Sequence, residues 1–198
     1  MACKFDEKFV SNKIKESISV KELILKDETL LKTIIAVSEQ IVNAYKSGNK
    51  VLFCGNGGSA ADAQHLAAEL TGKFYLNRPP LYAEALHVNT SYLTAVANDF
   101  SYDEVFSRLV KAKGQNGDIL IGISTSGNSK NIIQAFITAK EIGIITVAMT
   151  GSSGGNMKNF ADYLINVPSN DTPRIQEAHI TIGHIICEIV ERSLFGNE

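Results

Sequence analysis

The sequence predicts an α/β fold, a three-layer sandwich in which a five-stranded parallel sheet lies between helices. After residue 50, five short apolar runs alternate with stretches of helical character, a pattern typical of parallel strands joined by crossover helices. The 198 residues are 44% hydrophobic, enough for one substantial core. We therefore expect a single domain over residues 1–198, with an N-terminal helical extension in 1–48 and the sheet and a C-terminal helix in 49–198.

The first fifty residues predict two helices. Their apolar residues recur at helical spacing in two groups, first Phe5, Phe9, Val10, Ile14 and Ile18, then Leu31, Ile34, Ile35, Val37 and Ile41. The polar stretch Lys46-Ser47-Gly48-Asn49 ends the second helix and precedes the first strand.

Five apolar runs, near Val51, Ala85, Ile119, Ile144 and Leu164, are the predicted strands. The last segment, Arg174 to Leu194, carries apolar residues close to heptad spacing and predicts a helix. Such a stripe usually seals a core or a subunit interface.

Composition and charge exclude several classes of protein. The net charge is −2 without a basic cluster, so a nucleic-acid partner is not expected. Residues 1–7 carry charges where a signal peptide needs an apolar core, and no apolar run approaches the roughly 20 residues of a membrane span. We expect a cytoplasmic protein with no membrane partner. Its three cysteines, Cys3, Cys54 and Cys187, lack metal-binding spacing and are expected to be reduced thiols.

A glycine-rich loop after the first strand predicts an anion site. Gly55, Gly57 and Gly58 let the backbone turn, and the helix that Ser59 opens directs free amide groups at a ligand. A dinucleotide site is disfavoured because the next strand ends without an acidic residue, at His87-Val88-Asn89. A triphosphate loop would need a Gly-Lys-Ser/Thr ending, which is absent.

A second loop, after the third strand, crowds four hydroxyls into one turn: Ser124, Thr125, Ser126 and Ser129. Hydroxyls and amides at a helix N-terminus bind phosphate without a lysine. The alternative is that Ser129 only caps the helix beginning near Asn131. Because ligands of parallel sheets bind at the carboxyl ends of the strands, we expect both loops to face one crevice. A third glycine-rich turn, at residues 151–155, is interpreted as a connector.

His65 and Glu69 lie four residues apart on the helix after the glycine loop, so both side chains lie on one face. Imidazole and carboxylate are zinc ligands. An isolated pair of this kind is more often a packed histidine beside a solvated glutamate, and the neighbouring anion loop is what favours a metal here.

Together these motifs resemble the sugar isomerase (SIS) domain family, and within it the branch acting on phosphorylated heptoses. The segments that carry the resemblance are CGNGGSAADAQHLAAELTG, the Asn98-Asp99-Phe100 turn, GDILIGISTSGNS and RIQEAHITIGH. It implies a flavodoxin-like fold and conversion of D-sedoheptulose 7-phosphate to D-glycero-D-manno-heptose 7-phosphate, through an enediol, for bacterial surface polysaccharide. It also implies a homotetramer and one zinc ion per subunit.

Residue by residue, the resemblance implies a zinc site at His65, Glu69, Gln176 and His184, with Glu69 and His184 catalytic. The implied substrate contacts are Asn56, Gly57, Gly58, Ser59, Glu69, Asn98, Asp99, Ser124, Thr125, Ser126, Ser129 and Gln176. Pro173 departs from relatives that carry Asp or Ala there, which affects one hydroxyl contact and no metal ligand. For His87 and His179 we expect only packing or a hydrogen bond.

The spacing of Gln176 and His184 raises a geometric question, because eight residues on one regular helix separate their Cα atoms by about 12 Å. Either the segment is irregular near Pro173 or the site combines residues of several chains. Two alternatives to a heptose phosphate isomerase stay open. One is a non-catalytic SIS module that binds a replication initiator or senses sugar phosphates, and the other is an isomerase acting on another phosphosugar.

Overall fold

A computed structural model describes residues 5–196, and Cys3 therefore lies outside the described residues. The chain forms a five-stranded parallel sheet in the order β2-β1-β3-β4-β5. The strands are β1 Val51–Gly55, β2 Ala83–Ala85, β3 Ile119–Ser124, β4 Ile145–Thr150 and β5 Tyr163–Asn166. The helices are α1 Glu7–Lys26, α2 Glu28–Lys46, α3 Gly58–Thr71, α4 Thr90–Asp99, α5 Ser107–Lys113, α6 Lys130–Ile142 and α7 Thr172–Phe195.

Two apolar cores, one on each face of the sheet, make the fold a three-layer sandwich as predicted. Alternate residues of a strand point to opposite faces, and in β1 Phe53 packs with α1, α2, α3 and α7, whereas Leu52 and Cys54 pack with α4, α5 and α6. Both faces of the sheet are therefore covered, and ligands can reach it only at the strand ends.

The two N-terminal helices are separated by one residue, Asp27. Its backbone N–H bonds the Ile24 carbonyl at the end of α1, while its carboxylate accepts from Leu30 N at 2.9 Å to cap α2. Helix α2 packs seven buried residues into the core, while α1 buries only Val20 and Ile24. Among the described helices, none is both long enough and apolar enough to cross a bilayer.

Strands β1 and β3 lie side by side in the sheet. The chain continues from β1 to β2 on one side of this pair and from β3 to β4 and β5 on the other, so the strand order reverses between them. In the paired register Gly55 lies opposite Ile123. The glycine loop and the serine loop therefore begin next to each other at the carboxyl edge, where sheets of this kind bind ligands.

Candidate functional site

The two predicted anion loops contact each other through a reciprocal amide pair. Asn56, directly after β1, donates from Nδ2 to Asn131 Oδ1 at 3.0 Å and accepts from Asn131 Nδ2 at 2.9 Å. Asn131 lies in the first turn of α6 and is buried. A further donor reaches Asn56 Oδ1 from the Tyr102 hydroxyl at 3.1 Å. The two loops thus lie side by side at the carboxyl edge of the sheet.

The glycine loop turns tightly because side chains are missing where the backbone passes close to itself. Gly57 has φ +57°, in the left-handed region, and caps α3. A Cβ on Gly55 would lie 2.3 Å from the Ser59 carbonyl oxygen. Ser59 is buried in the first turn of α3. The N–H groups of Ser59 and Ala60 bond the carbonyls of Asn56 and Gly57, both at 3.1 Å, which leaves the N–H groups of Gly57 and Gly58 as the donors for an anion.

The serine loop concentrates its hydroxyls around Ser124, the last residue of β3. Ser124 Oγ lies 2.9 Å from Ser129 Oγ and 3.5 Å from Ser126 Oγ. Ser129 occupies the cap position of α6 but makes no side-chain capping bond. This geometry does not fit the capping alternative and leaves a hydroxyl cluster suited to phosphate oxygens, with the half-buried Thr125 in the same turn.

The third glycine-rich turn supports the serine loop directly, so its interpretation as a connector was incomplete. Gly151 N donates to the Thr125 carbonyl at 2.9 Å, and Met157 N donates to the Gly127 carbonyl at 2.9 Å. Gly127, with φ +64°, lies so close to the backbone of this turn that a Cβ on it would be 2.3 Å from the Gly154 carbonyl oxygen. Sequence spacing gave no signal for this contact between separate loops.

Three of the four predicted metal ligands converge in this single chain. His65 Nε2 lies 3.0 Å from Glu69 Oε1 and 3.3 Å from His184 Nε2, and the three ligand atoms all lie within 4.8 Å of one another. The imidazole rings meet edge to face with centroids 5.0 Å apart. His65 has 49% of its side chain exposed and Glu69 23%.

The close approach of α3 and α7 brings these ligands together. Gly183, beside His184, has no side chain where it meets Leu66, and a Cβ there would lie 2.6 Å from both Leu66 methyl carbons. Leu66 in turn neighbours His65. Two ligands from α3 and one from α7 therefore meet at the place where the helices can pack most closely.

The donor set fits a zinc ion. Two imidazoles and one carboxylate are a ligand set that catalytic zinc uses while keeping a further position for water or substrate. The nearby Cys187 is not among the three converging side chains, and burial, helped by the Glu69 carboxylate, raises the pKa of its thiol to about 12. Cys54 is also buried, as expected of a reduced thiol at a strand end.

Gln176, the fourth predicted ligand, lies at the glycine loop instead. Its amide packs against Gly58, where an added Cβ would lie 2.6 Å from Gln176 Nε2. Helix α7 is continuous from Thr172 to Phe195, with Pro173 accommodated in its first turn. The irregular-segment explanation therefore fails, and the Gln176 and His184 Cα atoms are separated by about 12 Å in one chain.

Asn98 and Asp99 occupy the end of α4 rather than an isolated turn. Both are exposed, and Asn98 Nδ2 donates to Asp99 Oδ1 at 2.9 Å. The short helical turn Tyr102–Glu104 follows them and sends Tyr102 to Asn56. Sequence reasoning missed Tyr102 and Asn131, because nothing in their local sequence indicates contacts 46 and 75 residues away.

Two other titratable groups near the site are shaped by burial. Desolvation raises the pKa of Asp62, one turn before His65, while the His65 imidazole opposes this rise. Asp62 Oδ2 is buried without a hydrogen-bond partner. His179, on α7, is buried with Nε2 3.1 Å from the Thr150 carbonyl, which matches the packing and hydrogen-bonding role expected for it.

Comparison with known proteins identifies close relatives. Residues 18–151 match the SIS domain family. The phosphoheptose isomerase of Clostridium acetobutylicum is 57% identical over 190 residues, covering 96% of this chain and 97% of the relative, and that of Aneurinibacillus thermoaerophilus is 54% identical with 96% of each chain covered. The structure of phosphoheptose isomerase GmhA from Neisseria gonorrhoeae superposes with a TM-score of 0.88 at 42% identity, covering 93% of this chain and 98% of that one.

Proposed function

This chain belongs to the phosphoheptose isomerases of the SIS domain family and is an isomerase, and from this premise we propose how its residues convert D-sedoheptulose 7-phosphate to D-glycero-D-manno-heptose 7-phosphate. The reaction supplies heptose precursors, in our proposal for bacterial surface polysaccharide. Phosphorylated sugars are charged and do not cross bilayers readily, so this substrate favours the predicted cytoplasmic location.

The observation that carries the proposal is that one helix, α3, begins at an anion loop and bears His65 two turns and Glu69 three turns later. The distance along the helix from Gly58 to His65 is about 10 Å. A heptose 7-phosphate carries its phosphate and its carbonyl at opposite ends. One extended substrate therefore needs an anion site and a proton-transfer site that are separated in this way.

The phosphate is bound, in this proposal, by the hydroxyls of Ser124, Thr125, Ser126 and Ser129. Asn56, Gly57, Gly58 and Ser59 of the glycine loop are assigned to the substrate, and the backbone N–H groups of Gly57 and Gly58 add donors without a positively charged side chain. Gln176, packed on Gly58, is suited to bind the substrate from the same side. Asn98 and Asp99 are assigned to the sugar hydroxyls.

Glu69 moves the carbon-bound proton. As a general base its carboxylate removes the proton from the carbon next to the carbonyl, which gives an enediol, and it returns the proton to the neighbouring carbon. His184 moves protons between the two oxygens. Its Nε2 and the Glu69 carboxylate both lie beside His65, so both protons can be handled at one end of the sugar.

His65, Glu69 and His184 would hold zinc, which when bound polarises the carbonyl oxygen of the substrate. A carboxylate that binds a cation is a weaker base. With an ion bound, Glu69 would therefore accept the proton more readily if its contact with the ion were loosened.

In the single chain Gln176 packs on Gly58, with its Cα about 12 Å from that of His184. We therefore propose that Gln176 becomes a metal ligand only on assembly, when its amide leaves Gly58 for the cluster of another subunit. Sites at subunit interfaces follow from this assignment, and we propose the homotetramer that the family resemblance implies. Its support within one chain is the apolar surface left exposed on α1.

The test is turnover of sedoheptulose 7-phosphate and of phosphorylated ketoses with shorter and longer chains, each with and without chelator. Glu69→Gln and His184→Ala are each expected to lower kcat by about 10²- to 10⁴-fold. Glu141→Gln is the matched control, since it makes the same change at an exposed residue near the far end of α6.

Wild-type turnover in both Glu69→Gln and His184→Ala would refute the assigned roles. Binding of the ketose without turnover by the wild-type protein would instead favour the non-catalytic SIS module. A strong preference for a shorter chain would indicate an isomerase of another phosphosugar.

A further inference from the structure

A buried ion pair lies next to the His65, Glu69 and His184 cluster. Arg78 Nε lies 3.0 Å from Glu191 Oε1, and their side chains are 2% and 1% exposed. Glu191 is on α7, seven residues after His184, so both side chains lie on nearly the same face, two turns apart. Arg78 belongs to the segment that connects α3 to β2.

Glu191 fixes the start of that segment to α7. Its carboxylate accepts from the backbone N–H groups of Phe74 at 3.1 Å, Tyr75 at 2.7 Å and Leu76 at 2.9 Å. Burial alone would raise the pKa of Glu191, but these three donors and Arg78 outweigh it and hold the pKa below its usual value. The carboxylate is therefore ionised and its oxygens are fully used.

Arg78 fixes the end of α3. Its Nη2 donates to the Glu69 carbonyl at 2.9 Å, and its Nη1 donates to the carbonyls of Leu70 at 2.7 Å, Gly72 at 3.2 Å and Pro79 at 3.1 Å. The last carbonyls of a helix lack intrahelical partners, and a guanidinium supplies several donors in fixed directions. The turn that carries Glu69 is thus held by the same side chain that binds Glu191.

Both branches of this network end at the catalytic cluster. Phe74, held through its N–H by Glu191, places its ring 5.7 Å from the His184 ring. Arg78 holds the backbone of Glu69. The network therefore joins α3, which carries Glu69, to α7, which carries His184.

Stability alone does not explain such a pair. Replacing a buried ion pair by apolar groups of similar volume is often neutral or stabilising, because the desolvation of two charges offsets their attraction. What an ion pair with directed hydrogen bonds adds is a defined geometry. Here that geometry sets the relative placement of two ligand-bearing helices.

We propose that Arg78 and Glu191 are positioning residues, which hold Glu69 and His184 in register for metal binding and proton transfer. This inference rests on the proposed function for its catalytic part. Its metal-binding part can be tested without any sugar substrate.

The chain offers a matched control at the other end of the sheet. Asp118, directly before β3, is buried, lies 2.7 Å from Lys50 Nζ, and accepts from the backbone N–H groups of Lys50 at 3.0 Å and Gln115 at 2.8 Å. It repeats the chemistry of Glu191 far from the carboxyl edge. Its loss should affect folding without affecting the site.

The experiment compares Arg78→Lys, Glu191→Gln and Asp118→Asn with the wild-type protein. Zn²⁺ affinity is measured by calorimetry on chelator-stripped protein, Tm on the same metal-free samples, and kcat and KM with sedoheptulose 7-phosphate. We expect Arg78→Lys and Glu191→Gln to lower Zn²⁺ affinity and kcat by about 10- to 100-fold with less change in KM. Asp118→Asn should lower Tm while Zn²⁺ affinity and kcat stay at the wild-type values.

Phe74→Leu covers the case in which Glu191→Gln does not fold. It removes the ring from His184 and leaves the ion pair, so it should lower kcat with little change in Tm. The proposal is overturned if the foldable variants of Arg78, Glu191 and Phe74 lower Tm alone, as Asp118→Asn does. If the wild-type protein does not isomerise the ketose, the proposed function is refuted. If Arg78→Lys still lowers Zn²⁺ affinity in that case, the positioning role is retained.

Discussion

At the scale of single residues, glycines determine which groups can approach one another around the glycine loop and the serine loop. Gly58 leaves room for the Gln176 amide, and Gly127 leaves room for the Gly154 carbonyl. The two differ in what a new side chain would meet. At Gly58 it is the end of a flexible side chain, whereas at Gly127 it is backbone.

We expect Gly58→Ala to weaken substrate binding without loss of stability. The new methyl displaces the Gln176 amide, and one lost hydrogen bond of about 1 kcal/mol raises KM about fivefold. Tm should stay level or rise, since alanine reduces the entropy of the unfolded chain. Steady-state kinetics and thermal unfolding measure both effects. Gly127→Ala is the contrast, and should lower Tm because both its φ and its neighbour oppose a side chain. An unchanged KM in Gly58→Ala would contradict the role of Gln176.

What the sequence could predict at this scale depends on how far apart the partners lie along the chain. His65 and Glu69 share a helix face four residues apart, so their contact follows from helix geometry alone. Asn131, Tyr102 and Glu191 act through partners between 46 and 117 residues distant. Such contacts depend on how loops and helices pack, which local spacing does not encode.

At the scale of elements, a buried imidazole joins α7 to the end of β4. Burial lowers the pKa of His179 to about 4, although its bond to the Thr150 carbonyl opposes this shift. A histidine in an unfolded chain binds its proton near pH 6.5. Between these two pKa values the unfolded state binds more protons than the folded state, so the buried His179 favours unfolding increasingly as the pH falls.

We therefore expect the contribution of His179 to the free energy of unfolding to be fully present above pH about 6.5. It should be lost between pH about 6.5 and about 4, which lowers the free energy of unfolding by on the order of 3 kcal/mol. His179→Gln, whose amide can still donate to Thr150, should show a flatter dependence over the same range. Denaturant unfolding at a series of pH values measures it. Parallel curves for the two proteins would rule out His179 as the source.

The elements themselves were predicted well, since both N-terminal helices, all five strands and the last helix lie where periodicity placed them. The residues at which the elements end were harder to predict from the sequence. Asn98 and Asp99 were interpreted as a turn because both residues favour turns, yet Asn89 caps α4 through Tyr92 N and the helix continues to Asp99. Asn98 and Asp99 are therefore helical, as part of a helix whose cap lies nine residues before Asn98.

At the scale of the whole molecule, α1 presents more apolar surface than one chain covers. Exposed apolar residues lie on both sides of its buried stripe and continue onto α2: Phe9, Val10, Ile14, Ile18, Leu23, Leu25, Leu31 and Ile35. Exposed apolar side chains in this number on two neighbouring helices are typical of an interface. The extent of this surface agrees with assembly through the N-terminal helices.

We expect Ile14→Glu to weaken self-association by at least about tenfold, since it places a charge within this apolar surface. Gln134→Glu is the control, because it adds the same charge at an exposed position on α6, away from the N-terminal helices. Sedimentation and activity are measured over one dilution series. If sites are shared between subunits, activity and assembly should be lost together in Ile14→Glu. Full activity in a demonstrated monomer would exclude shared sites.

The half-exposed His65 has a consequence for which ion occupies the cluster. Two imidazoles and one carboxylate bind most first-row divalent ions, and affinity at such ligands rises toward copper irrespective of the reaction. With solvent reaching His65 directly, little in the shape of the cluster excludes a larger or more tightly binding competitor. Occupancy would then follow which metals are available, so protein eluted from a nickel resin would carry nickel until it is stripped and reloaded.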